Sequence, residues 1–172
     1  MLKGEDIVVL LKLTADPPPS WTVRSLEAEL GIPRSVIQRS LVRLQQAGLL
    51  EQGRRRANNG RAEEFLVHGL RYVFPPLKGG ETRGVPTAWA APPLQDKLAD
   101  SGELPPVWPD PLGRVRGIAL EPLHDSAPGI SRRDPALAEL LTLTDGLRLG
   151  DARMRGLAEE LLRARLSSAA PA

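Results

Sequence analysis

Arginine and glutamine read base pairs through paired hydrogen bonds, and this chain sets both on one predicted helix face. Between Pro33 and Ala47, Ile37, Leu41 and Leu44 form an apolar repeat that leaves Arg34, Ser35, Gln38, Arg39 and Val42 pointing elsewhere. Gln pairs bidentately with adenine and Arg with guanine; Ser meets several bases or a phosphate, and Val meets a thymine methyl. The chemistry is recognition of a DNA major groove. An ordinary solvated helix face would look similar, but charge separates the two readings. From Arg24 to Arg61, eight arginines (24, 34, 39, 43, 54, 55, 56 and 61) stand against Glu27, Glu29 and Glu51, a local balance of +5 in a chain of net charge +2. Positive charge is concentrated here, as a phosphate-binding face requires.

The elements that must position this face can be read from their boundaries. Thr22 before Val23, Leu26 and Leu30 predicts a short capped helix; Gly31 closes it and Pro33 opens the next, which makes a helix-turn-helix. The run Ile7 to Leu11, with Glu5 and Asp6 in its first turn, predicts an earlier helix over about residues 3–14, ended by Pro17-Pro18-Pro19, with Trp21 covering one edge of the small core. After Leu50, Gly and Asn bracket Arg54, Arg55 and Arg56, so these and Arg61 form an exposed basic loop suited to phosphate or minor-groove contact.

The segment LGIPRSVIQRSLVRLQQAGLL resembles the winged helix-turn-helix of bacterial regulators of the MarR and related types, over about residues 2–57. The resemblance implies that Arg34, Ser35, Gln38 and Arg39 touch bases of double-stranded DNA and that the wing touches backbone or minor groove. Only Leu49 to Gln52 and a few residues after Gly53 are available for the wing, so it should be short.

Beyond the head, Ala62, Phe65, Leu66, Gly69, Leu70 and Val73 predict an amphipathic helix over about 59–72, with His68 on its polar side. From Pro75 to Pro128 lie eleven of the seventeen prolines, which argues against a long helix or a central strand. Val85, Trp89, Val107, Trp108, Ile118 and Leu120 argue against a free linker, so an ordered, irregular arm is expected, with an edge hairpin over 107–120. Asp134-Pro135 starts a helix that keeps its period to Leu147, and Asp151 caps another, with the end from Ala164 fraying. Their Leu face must dock on preceding segments, on a second copy or on another protein. The fold class expected is mainly α: a winged helix-turn-helix over 1–74, a Pro-rich arm over 75–130 and a C-terminal helical hairpin over 131–172.

Catalysis finds little footing. His124, Asp125 and Ser126 are direct neighbours, which cannot generally form a triad's chain of hydrogen bonds. No GxxxxGK[ST], CxxC or HExxH occurs, and no cofactor or metal is expected. The absence of Cys suits a reducing cytoplasm, and Ile7 to Leu11 is too short to span a membrane. Two functions are compatible with these features. One is a sequence-specific, homodimeric transcriptional regulator. The other is an antitoxin-like autoregulator whose arm and hairpin grip a protein partner; the head, FLVHGLRYVFP, TRGVPTAWAAPPL and the Leu/Arg-rich end resemble small bacterial regulators encoded beside nucleotidyltransferase-like toxins.

Overall fold

Apolar periodicity and capping residues account for most helices of the computed structural model, which describes residues 1–15, 20–53 and 55–169. The chain is mainly helical with a small three-stranded sheet; eight α-helices lie among the described residues. The Pro17-Pro18-Pro19 stop, Arg54 and the last three residues fall outside them. Helix α1 (Gly4–Ala15) carries Ile7 to Leu11, all fully buried. Helix α2 (Val23–Leu30) is capped as predicted: Thr22 Oγ1 accepts from the Ser25 amide at 3.0 Å, and Ser25 Oγ accepts from the Thr22 amide at 2.8 Å. This is a capping box with serine in the returning position. Gly31 then takes φ +66°, which only glycine adopts without strain, and Pro33 precedes α3 (Arg34–Gln46).

The predicted helix over 59–72 is divided at Gly69 into α4 (Asn59–His68) and α5 (Leu70–Val73). A larger correction concerns the arm. Lys78–Pro86 forms β1, nine residues long, and pairs antiparallel with both β2 (Pro106–Pro109) and β3 (Val115–Leu120). No edge hairpin forms over 107–120: β2 and β3 run parallel, Pro106 opposite Ile118 and Val107 opposite Ala119, and so close a three-stranded barrel. The prolines permit this because none lies between Lys78 and Val85; they sit at strand ends, where no ladder hydrogen bond is lost. Closure also needs glycine. A Cβ on Gly84 would stand 2.1 Å from the Trp108 carbonyl oxygen, and one on Gly117 would stand 2.1 Å from that of Pro105.

Helix α6 (Ala127–Arg133), not anticipated from sequence, has Pro128 in its first turn. Helices α7 (Pro135–Leu149) and α8 (Ala152–Ala169) begin as expected, with Asp134 Oδ1 accepting from the Leu137 amide at 3.1 Å and Asp151 Oδ1 from that of Met154 at 2.9 Å. Helix α8 continues regularly to Ala169 instead of fraying from Ala164. Every residue from Leu140 to Arg148 is buried, so α7 is covered on all sides, by α1, α4, α5, α6, α8 and a 3-10 turn at Ala88–Ala90. Of the three ways to cover the hairpin's leucines, the chain covers those of α7 with its own preceding segments, together with α8. The need for an outside partner on those leucines therefore falls away. One apolar cluster takes side chains from all three predicted regions, from Ile7 through Leu94 and Trp108 to Leu166. No helix among the described residues is long and apolar enough to cross a membrane.

Candidate nucleic-acid interface

Helix α3 is held from behind by Ile37, Leu41 and Leu44, which point into the core against α1 and α2. The opposite side carries Ser35, Gln38, Arg39 and Val42, all exposed, lining a shallow open concavity that Arg43 borders. Val42 is 55% exposed, an apolar side chain standing in a polar row. Ser35, Gln38 and Arg39 have no side-chain hydrogen bond or ion pair to other described residues, so their polar ends are open to a partner.

The other predicted contacts divide. Arg34 is exposed, but its guanidinium pairs with Glu27 at 3.2 Å and its amide donates to Glu27 Oε1 at 3.0 Å. Those bonds, the amide first, hold the Glu27 carboxyl below its ordinary value. Arg43 is not available as a phosphate contact: its Nε and Nη2 donate to Asp6 at 2.8 and 2.7 Å, with Glu5 at 3.3 Å. Asp6 is fully buried, and the bond to it raises the Arg43 pKa. Arg43 thus ties α3 to the start of α1.

Beyond Gly48 the two short strands expected of a wing reduce to a single bridge, Leu50 opposite Ala57, flanked by Glu51 N to Arg56 O at 2.8 Å and Asn58 N to Leu49 O at 2.9 Å. Arg55 is exposed at the tip and Arg56 half-buried; Arg54 lies outside the described residues. Arg61 bends back so that Nη1 donates to the Gly48 carbonyl at 3.1 Å, which braces the loop against the end of α3.

Sequence reasoning missed the supports of this head. Lys12, nearly buried on α1, reaches both Glu29 on α2 and the α7 cap Asp134, each at 2.7 Å. Arg133 Nε donates to the Glu29 carbonyl at 3.1 Å. It also missed a buried cluster behind the barrel, where Asp145 accepts from Thr87 Oγ1 at 2.6 Å and Trp108 Nε1 at 2.8 Å, and pairs with Arg148 at 2.8 Å. Burial pushes the Asp145 carboxyl up, against the pull of those three donors. Arg148 continues to the Phe74 carbonyl at 2.8 Å, so the cluster joins α7 to both ends of the barrel segment. The signal was an Asp and an Arg three apart inside a Leu-rich helix, Leu143 to Leu149. At the other candidate, Ser126 Oγ lies 2.9 Å from His124 Nδ1, which also accepts from the Ser126 amide at 3.1 Å; Asp125 is exposed and forms no hydrogen bond with either among the described residues. No family model, no curated protein and no solved structure matches this chain.

Proposed function

We propose that the chain is a sequence-specific DNA-binding regulator of the winged helix-turn-helix kind, with α3 as the reader in the major groove and the Gly48–Ala57 loop as a short wing on the backbone. The observation that carries this reading is the row Ser35, Gln38, Arg39 and Val42: three open polar groups of the types that pair with bases, and one exposed methyl-bearing side chain, on the face of α3 opposite the core. Arg34 joins them by exchanging Glu27 for a phosphate, since an exposed ion pair is worth only about 0–1 kcal/mol. Arg24, Arg55 and Arg56 supply backbone charge. The α7 leucines are internal, which leaves the half-buried Leu157 and Leu161 of α8 and the arm to carry the antitoxin-like, protein-partner reading.

The test is titration of duplex DNA, with an operator selected from a random pool and an unselected duplex, at several salt concentrations. Neutralising about six phosphates in a dimer gives a slope of log K against log salt near about −5. Gln38→Ala or Arg39→Ala should cost about 1–3 kcal/mol on the selected operator and much less on the unselected duplex. Arg55→Ala should weaken both equally and lower the slope by about one. Salt-independent binding removes the basic face as a phosphate contact, and equal losses on both duplexes for the Gln38 and Arg39 variants remove α3 as the reader.

A further inference from the structure

A cleft of about 310 Å³ opens between the barrel and α7, floored by Trp108 and walled by Val85, Pro86, Ala91, Ala138 and Thr142. Its size lies at the lower end for a small-molecule site, and its walls are mainly apolar, as such sites are. Two features fix the kind of guest. Among the described residues no basic side chain lines the cleft, and the one carboxylate at its rim, Glu139, is already paired with Arg165 at 2.5 Å, so neither an anion nor a cation meets an open counter-charge there. Thr142 is only 3% exposed and lines the cleft, yet its hydroxyl has no hydrogen-bond partner among the described residues. That hydroxyl is thus free to donate to, or accept from, a guest in the cleft. Trp108, almost fully buried, adds apolar ring atoms to the lining, and its Nε1 is already committed to Asp145.

The cleft also touches the supports of the head. Ser131 and Pro135 line it, and the residues beside them in the chain are the ones that hold α2: Arg133 on the Glu29 carbonyl, and Asp134 on Lys12, which also holds the Glu29 side chain. We infer that this cleft binds an uncharged, mostly apolar small molecule with one hydrogen-bonding group directed at Thr142, and that its occupancy is felt at the α2–α3 turn. Its meaning as an effector site rests on the DNA-binding reading; the binding and the coupling do not.

The probe is N-phenyl-1-naphthylamine, a neutral aromatic amine that fluoresces in apolar surroundings, titrated into the full chain. Saturable binding at one site is expected. Ala138→Phe, which fills the cleft, should weaken it by about tenfold or more while circular dichroism and melting stay near those of the parent. Thr142→Val, nearly isosteric, should weaken it by about three- to tenfold, the value of one lost hydrogen bond. Hydrogen exchange of the residue 27–35 amides, with and without saturating probe, should slow by about twofold or more on loading. Unsaturable uptake, or parent-like binding by both variants, overturns the site. Unchanged exchange in the loaded protein overturns the coupling. DNA titration without probe keeps the readings apart: a chain that takes up probe but not DNA sinks the regulator, and one that binds DNA but not probe sinks the cleft.

Discussion

Arg39 and Arg43 stand one turn apart on α3 and differ in everything except residue type. Arg39 is exposed without a protein partner, whereas Arg43 is spent on buried Asp6. Removing Arg39 should change stability by no more than about 0.5 kcal/mol, as for an ordinary surface site. Removing Arg43 strands a carboxylate with no access to water, so Arg43→Ala should cost about 3–5 kcal/mol, read by urea unfolding of the two variants side by side. Equal midpoints would show that the Asp6 bond is not a support. The outward row of α3 was legible because helical period alone separates it from Ile37, Leu41 and Leu44. The fate of Arg43 was not. Glu5 and Asp6 already had a local explanation at the N-terminus of α1, and nothing in the sequence links them to a residue 37 positions away.

At the scale of elements, the helices were legible where a cap and a stripe coincide, as in α2, α3 and α7. The barrel was hidden, because a high density of prolines over 75–128 masks where they fall relative to the strands, and because the parallel pairing of β2 with β3 is a tertiary choice with no local mark. Its glycines make the barrel testable. Gly117→Ala places a methyl against the Pro105 carbonyl and should destabilise by about 1–3 kcal/mol, with a red shift of Trp emission as Trp108 loosens. Gly156→Ala is the counterpart. It lies within α8 with nothing within 4 Å of the added carbon, so it should stabilise by about 0.4–1 kcal/mol. Thermal melts of both variants check the opposite signs.

The whole molecule is joined by ionic contacts whose carboxylates titrate. Burial lifts Asp134, but the Lys12 bond and the Leu137 amide outweigh it and hold the group below its ordinary value. Arg132, with the Leu112 amide, does the same for Asp110, and the Arg34 amide and guanidinium do so for Glu27. A carboxyl lowered on folding contributes stability that is complete above its unfolded pKa and is lost as pH falls through the folded one. These three carboxyls should therefore make the melting temperature drop below about pH 4, where aspartate and glutamate ordinarily titrate, whereas Asp145, raised by burial, acts in the opposite sense at higher pH. Asp134→Asn should start lower and fall less steeply. A melting temperature that rises as pH falls below about 4 would contradict the assignment.

Helix α7 carries a consequence in time as well as in space. Ile7 to Leu11, on the helix that packs behind α3, are fully covered only when residues 135–149 lie among the helices around them. On a ribosome, residues 1–57 leave the tunnel long before α7 is made. The nascent N-terminal helices thus have their sequence but not their central strut, and an apolar stripe of α1 is left uncovered. The first helices are fully covered only when the last third of the chain closes onto them.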